Sequence, residues 1–131
     1  MPRDFTREQE IGVQPQVPAL LPIGHQRLLR LAEFLATVPR KRFDMGKWVC
    51  GTTACAAGWA HNIPEFREAG YRLNWAVGPM FNDERGFRAL RLFFELKNAF
   101  ESEHLFGCNH VRTPDEEARI IREFVAARRS A

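Results

Sequence analysis

Apolar side chains recur at helical spacing over a long stretch near the start of the chain. Leu28, Leu31 and Leu35 lie three or four positions apart, and charged residues occupy several of the positions between them. This pattern predicts an amphipathic helix over residues 24–38, with its apolar stripe facing a core. Pro39 ends the helix because proline lacks a backbone N–H and restricts the residue before it.

Two helices near the end of the chain have capping boxes at their starts. Asn98–Glu101 precedes a helix predicted over residues 99–106, which Gly107 closes. Thr113–Glu116 precedes the last helix, and Pro114 takes its first position, where the missing N–H would have no helical partner. The predicted buried face of the last helix consists of Ala118, Ile121, Phe124 and Val125.

A further helix is predicted upstream of these two. Asp83 can cap it by accepting a hydrogen bond from the first turn, and the helix would extend over residues 84–97. Phe87, Leu90 and Phe94 recur at helical spacing within it. We therefore expect this helix to contribute a row of large apolar side chains to the core.

The pattern between these helices and the middle of the chain indicates strands. Residues 64–70 predict a short helical turn that ends at Gly70. Residues 71–73 and 79–81 are rich in strand-forming types and are separated by turn formers, which predicts a β-hairpin. Because proline cannot donate to a strand ladder, this hairpin requires Pro79 to lie at a sheet edge.

The centre of the fold is predicted to be a stretch of small residues, CGTTACAAGWA at positions 50–60. Gly51 can adopt a tight turn, and Thr52 or Thr53 can cap a helix over residues 54–62. A helix without charge around its circumference is usually buried, and small side chains allow close packing. Trp59 would be the one large buried side chain that anchors this helix to the core.

These elements predict a mainly α fold. We expect a compact bundle of about five helices around the central small-residue helix, with a short β-hairpin. Residues 1–22 contain four prolines and little periodicity, which predicts a flexible or extended N-terminal arm. Residues 23–131 would form a single domain, a normal length for one hydrophobic core.

Charge and cysteine content narrow the functional classes. The formal net charge is only +3, and the basic clusters at Arg40–Arg42 and Arg128–Arg129 are explained as solvated helix ends. No recognition motif accompanies them, so a nucleic-acid partner is not favoured. The sequence has no apolar run of about 18 residues and no signal-peptide pattern, which predicts a cytoplasmic protein without a membrane span. Three cysteines do not suggest a disulfide framework.

Several strings together resemble a group of small bacterial and phage-encoded proteins that carry a CGTxACxAGWA stretch in a mainly helical domain. The strings are RFDM (42–45), Trp48, CGTTACAAGWA (50–60), FF (93–94), LFG (105–107) and RTPDEEARI (112–120). The resemblance covers residues 25–125. It implies a helical fold and a phage or mobile-element origin, and it implies no mechanism.

Cys50 is a candidate nucleophile. A thiol at a helix N-terminus has its thiolate stabilised by free N–H groups and by the helix dipole. His61, His104 and His110 are candidate bases, which makes a Cys50-dependent hydrolase or transferase one hypothesis. The simpler interpretation is a buried, inert thiol, because both neighbours of Cys50 favour burial and free cysteine is commonly buried.

Metal binding is a second hypothesis for the same region. A Cys3His zinc site could combine residues from the central stretch and from the loop before the last helix. The candidate ligands are Cys50, Cys55, Cys108 and His110. The spacing between the first two cysteines does not match the usual zinc pattern closely, so the sequence favours no metal and no cofactor.

A small anionic ligand is a third hypothesis. Backbone N–H groups and hydroxyls at a helix N-terminus suit phosphate or carboxylate, and tryptophan rings could provide a stacking face. The predicted ligand-binding residues are Trp48, Cys50, Gly51, Thr52, Thr53 and Trp75. The alternative is that the threonines only cap the helix and the tryptophans fill the core, since no common nucleotide motif is present.

The acidic residues of the last two helices are explained without catalysis. Glu101, Glu103, Asp115, Glu116 and Glu117 all lie in or near a first turn, where the helix dipole favours negative charge. We expect them to be exposed. The leading functional hypothesis is therefore a small non-enzymatic binding protein that recognises a host protein or a small anionic ligand.

Overall fold

The computed structural model describes residues 21–48, 53–109 and 111–130, which form a mainly helical fold with a small antiparallel sheet. The helices are α1 (Ile23–Leu35), α2 (Ala56–Trp59), α3 (Pro64–Glu68), α4 (Phe87–Phe94), α5 (Ala99–Phe106) and α6 (Pro114–Ser130). The strands are β1 (Arg72–Asn74), β2 (Gly78–Phe81) and β3 (Glu84–Arg85). Short 3₁₀ turns occupy Arg40–Arg42 and Ala60–Asn62. None of the helices in these residues is both long and apolar enough to cross a bilayer.

The first and last helices pack against each other and enclose one side of the core. Leu28, Leu31 and Leu35 of α1 are fully buried, and so is Ile121 of α6. The mainly helical class predicted from the sequence is confirmed. Residues 1–20 of the predicted N-terminal arm lie outside the described residues.

The predicted N-cap bond forms at both helix starts, but only the second capping box closes. In the first, the Glu101 carboxylate accepts from the N–H of Lys97 at 2.7 Å and not from that of Asn98. The Asn98 side chain accepts a hydrogen bond from the backbone N–H of Glu101 at 3.0 Å. Thr113 Oγ1 accepts from the N–H of Glu116 at 3.1 Å, and the Glu116 carboxylate accepts from the N–H of Thr113 at 2.8 Å. These bonds place the starts of α5 and α6 at the predicted residues because both partners are local in sequence.

The central helix begins later than predicted. Cys55, not Thr53, precedes its first residue, and no side chain of the described residues caps it. The reason is that Ala54 belongs to an extended segment. Its N–H donates to Arg42 O at 3.1 Å, and its carbonyl accepts from the N–H of Asp44 at 3.0 Å. This parallel pairing opposite Phe43 uses the backbone groups that a helix would need.

The predicted hairpin is confirmed, and a third strand extends it. In β1 and β2, Leu73 lies opposite Pro79, and β3 pairs with the far end of β2. Pro79 is therefore in the middle strand, and the expectation that it lies at an edge is wrong. The sheet tolerates it because β3 is two residues long and pairs only with Met80 and Phe81.

The segment before α4 also differs from the prediction. Asn82 and Asp83 have φ values of 50° and 67° and join β2 to β3 as a two-residue hairpin loop. Asp83 consequently does not cap a helix. α4 begins only at Phe87, after Gly86 with φ 65°, and ends before Glu95, which is left-handed.

The core centres on aromatic rings from α3, α4 and the residue before β1. Phe93 of α4 contacts Phe66, Tyr71 and Phe94 with centroid separations of 4.9–5.0 Å. The hydroxyl of Tyr71 donates to the carbonyl of Ala57, which ties the central helix to this cluster. The rings, and not the tryptophan of the central helix, form the middle of the core.

Trp59 was expected to be the buried anchor of the central helix, but it is only half-buried. Its ring packs at the side of the core with its centroid 6.4 Å from that of Phe34. Its indole N–H donates to Arg42 O at 2.9 Å. The small residues Ala56, Ala57 and Gly58 provide the buried part of the helix, as predicted.

Candidate functional site

Much of the predicted ligand site falls on residues 49–52, which lie outside the described residues. Cys50, Gly51 and Thr52 belong to this segment, and His110 is also outside. The Cys50-dependent hydrolase or transferase and the anion site at the helix start therefore stay predictions. The described residues that bear on the predicted sites are Trp48, Thr53, Cys55, His61, Trp75, His104 and Cys108.

Trp48 lies in a gap that two glycines keep open. A Cβ on Gly58 would overlap the carbonyl oxygen of Trp48, so only glycine allows α2 to approach this backbone. A Cβ on Gly78 would lie 2.7 Å from Cε2 of the indole. The ring packs edge-on against Phe87, with centroids 5.6 Å apart and planes at 64°. The position of Trp48 is therefore determined by α2, β2 and α4 together.

We expect Gly78→Ala to displace the Trp48 ring and to destabilise the fold. The φ of Gly78 is 86°, and an L residue there carries strain of about 1–3 kcal/mol. The new methyl would also collide with the indole. Urea unfolding gives the loss of stability, and near-UV circular dichroism reports the changed environment of the ring.

Gly70→Ala is the matched control, because Gly70 also has a positive φ, of 107°. A Cβ at Gly70 would meet only the Phe81 ring at 3.5 Å, an ordinary contact. It should therefore show backbone strain without a change at Trp48. Equal stability losses and unchanged near-UV spectra in both variants would contradict the proposed contact between Gly78 and the indole.

A pocket of about 200 Å³ opens beside Trp48. Phe87 and Phe106 provide aromatic walls, and Lys47 is the one cation among its described lining residues. Cys108 lies at this pocket and is exposed. An aromatic wall beside a cation suits a ligand or partner side chain that is apolar at one end and negatively charged at the other.

Trp75 lies in the turn between β1 and β2 and is 78% exposed. The Asn74 side chain braces this turn by accepting hydrogen bonds from the N–H groups of Ala76 and Val77 at 2.7 and 3.1 Å. Gly78, which touches the Trp48 ring, follows three residues after Trp75, and three residues of chain span at most roughly 11 Å. The fold therefore brings two of the predicted ligand-binding residues, Trp48 and Trp75, to the same part of the surface.

Cys55 is unsuited to nucleophilic chemistry at neutral pH. It is almost fully buried, and burial raises the pKa of its thiol to about 11. Backbone N–H groups of Gly58 and Ala57 oppose this rise, and the carboxyl of Glu117 adds to it. The protonated thiol is also a poor metal ligand, since metals bind the thiolate.

The predicted zinc ligands that can be compared lie in different environments. Cys55 is in the core, whereas Cys108 is exposed. Within the described residues, no group of three or more histidine, cysteine or acidic side chains is arranged to hold a metal ion. The predicted zinc set also includes Cys50 and His110, so it stays a prediction.

Glu117 is a buried carboxyl that the sequence interpretation missed. It was expected to be exposed at the start of α6, but its side chain is fully buried. Arg112 Nη1 donates to Glu117 Oε1 at 2.7 Å, whereas Oε2 is buried without a hydrogen-bond partner among the described residues. Burial raises the pKa of Glu117 to about 7, although Arg112 opposes the rise. Its spacing from Ile121 and Val125, four and eight residues on, was the available signal for burial.

The described part of the predicted site is an aromatic surface. Trp48, Trp75 and Phe87, which we call the aromatic corner, differ in exposure, and only Trp75 projects freely into solvent. Aromatic rings of this kind supply contact area and stacking faces. No protein-family model, curated protein or solved structure matches this chain.

Proposed function

We propose that this chain is a non-enzymatic binding protein and that the aromatic corner docks onto an acidic surface of a partner protein. The observation that carries the proposal is the 78% exposure of Trp75 on a turn that Asn74 holds by two hydrogen bonds. Tryptophan is enriched among the residues that dominate binding energy at protein interfaces. A braced turn also limits the conformational entropy that docking would remove.

Charge near the aromatic corner supports an acidic partner. Arg85 and Arg88 are exposed beside Phe87, and Arg91 follows one helical turn after Phe87. Within the described residues, none of these arginines forms an ion pair with a carboxylate. Lys47 adds a fourth cation at the pocket beside Trp48. Lys47 pairs with Asp44 at 3.8 Å, so the three arginines supply most of the positive charge that would attract an acidic surface and orient it on approach.

The partner can be identified by photo-crosslinking from the site itself. A photoreactive phenylalanine analogue at position 75 would be crosslinked in cell extract, and the captured protein would then be purified separately. The equilibrium dissociation constant of the purified pair, measured for wild type and variants, is the deciding result. Capture alone does not establish the interface.

We expect Trp75→Ala to weaken binding of the purified partner about 30-fold or more, as for an interface hot spot worth 2 kcal/mol or more. Its stability should change by less than about 0.5 kcal/mol, because Trp75 packs against little of the protein. Arg88→Glu should slow association and reduce its salt dependence.

Phe100→Ala is the matched control for Trp75→Ala. Phe100 is 83% exposed on α5, and it is likewise an aromatic residue without a buried environment. We expect this variant to bind the partner as wild type does. If both variants bind with unchanged affinity, or if both lose affinity equally, the aromatic corner is not the docking surface.

A further inference from the structure

A second basic site is formed by the segment from the 3₁₀ turn at Ala60–Asn62 to the start of β1. His61, Arg67 and Arg72 line one pocket of about 340 Å³, together with Pro64 and Glu68. His61 follows the central helix, Arg67 is on α3, and Arg72 begins β1. The tight turn at Gly70, with φ 107°, reverses the chain between the two arginines.

Backbone carbonyls hold both guanidinium groups in place. Arg67 Nη1 donates to His61 O at 2.6 Å. Arg72 Nη1 donates to Arg67 O at 2.8 Å and to Tyr71 O at 2.9 Å. Arginine at a helix C-terminus commonly binds carbonyls in this way. Within the described residues these bonds use only Nη1, so Nε and Nη2 of each guanidinium keep donors for a ligand.

The acids near this pocket do not form ion pairs with its arginines within the described residues. Glu65, on the same helix as Arg67, pairs instead with Arg30 at 2.8 Å. Glu68 lines the pocket but forms no ion pair with either arginine among the described residues. Burial lowers the pKa of His61, and the charges of Arg67 and Arg72 lower it further. The imidazole therefore lies in the positive field of two arginines.

We propose that this pocket binds a phosphate group, with Arg67 and Arg72 as the main ligands and His61 beside them. Planar guanidinium groups match phosphate oxygens with paired hydrogen bonds. A phosphate monoester carries a charge of about −1.5 to −2 at pH 7, which two arginines can balance. The site does not depend on the aromatic corner, so either proposal can fail without the other.

The test is a titration of the full chain with inorganic phosphate, in which proton NMR of the histidine rings monitors binding. The His61→Gln variant identifies the His61 signal. In wild type we expect a saturable shift of this signal and a rise in the pKa of His61 as phosphate binds, because a bound anion stabilises the imidazolium. Sodium chloride at the same ionic strength should produce neither change.

Arg67→Gln and Arg72→Gln should each weaken phosphate binding about tenfold, the loss expected for a charged hydrogen bond. Arg119→Gln is the control, since Arg119 is an exposed arginine that pairs with Glu123 on α6. If a glutamine variant unfolds, Arg67→Lys and Arg72→Lys provide the same comparison, because lysine keeps the charge and loses the paired geometry. Lysine variants should then bind phosphate more weakly than wild type.

The outcome that overturns the phosphate site is equally direct. It is the absence of saturable binding in wild type, or dissociation constants for the Arg67 and Arg72 variants that equal that of Arg119→Gln. Chloride shifts as large as the phosphate shifts would also overturn it, since they would show only general screening of the positive field.

Discussion

Replacing Phe93 with alanine should lower the free energy of unfolding by about 3–5 kcal/mol, the range for removal of a buried aromatic ring. Phe93 is fully buried, and its ring contacts Phe66, Tyr71, Phe81 and Phe94. A domain is usually stable by only 5–15 kcal/mol, so this loss would remove a large fraction of the total. Urea unfolding monitored by circular dichroism measures it.

A second contact adds to the expected effect. The Arg27 guanidinium lies 4.0 Å from the centroid of the Phe93 ring, and its Nη1 donates to Phe93 O at 2.8 Å. Phe93→Leu should lose less stability than Phe93→Ala because leucine keeps much of the side-chain volume, although both variants lose the cation–π contact. Phe100→Ala, at an exposed ring, should change stability by less than about 0.5 kcal/mol. A loss below about 1 kcal/mol in Phe93→Ala would contradict its central position in the core.

The second large effect is expected at Glu117, where Glu117→Gln should stabilise the protein at pH 8 and leave it nearly unchanged at pH 4.5. The pKa of this carboxyl is raised by burial from 4.5 to about 7, so the folded state binds the proton more tightly than the unfolded state. Stability is therefore greatest below the unfolded pKa and falls as pH rises through the folded pKa. The shift corresponds to a loss on the order of 3 kcal/mol.

The neutral amide keeps a carbonyl oxygen that can accept from Arg112, and it avoids burying a charge. Urea midpoints measured between pH 4.5 and 8 should thus fall steeply for wild type and much less for Glu117→Gln. Glu123→Gln is the control, because Glu123 is an exposed member of an ion pair on the same helix. If Glu117→Gln is the less stable protein at pH 8, the ion pair of Glu117 with Arg112 outweighs the cost of burying its charge, and the expected stabilisation is wrong.

Helix boundaries were predicted well where the signal is local. Asn98 and Thr113 each bond to an N–H three residues on, so the sequence around them specifies both helix starts. Gly70 and Pro64 bound α3 for similar reasons, since one takes a positive φ and the other suits a first turn. No distant contact is needed to place these ends.

The errors occur where one residue type suits two local structures. Asp83 caps helices well, and it also adopts the left-handed conformation of a hairpin loop. Thr53 could have capped the central helix, but the pairing of Ala54 opposite Phe43 keeps this backbone extended. In both cases strand pairing decided between the two structures. The pairing is local at Asp83, whose loop joins β2 to β3, and it joins distant residues at Ala54.

The candidate sites show the same division. Trp48 and Trp75 were selected from the sequence as aromatic residues, but their proximity depends on the contact between Gly78 and the indole. His61 was considered only as a base for Cys50. Its position beside Arg67 and Arg72 results from a 3₁₀ turn, a helix and a strand meeting around Gly70.

The order of the helices, their caps and the hairpin follow from hydrogen bonds and apolar spacing within a few residues. These features can therefore be read from a short stretch of sequence. Burial of Glu117, the half-exposed position of Trp59 and the basic pocket at Arg67 depend on which elements pack together. Packing determines the dielectric around a carboxyl and the neighbours of a cation, because both depend on atoms from distant parts of the chain. For this reason the locally capped helix starts and the hairpin could be predicted from the sequence, and the electrostatic character of its sites could not.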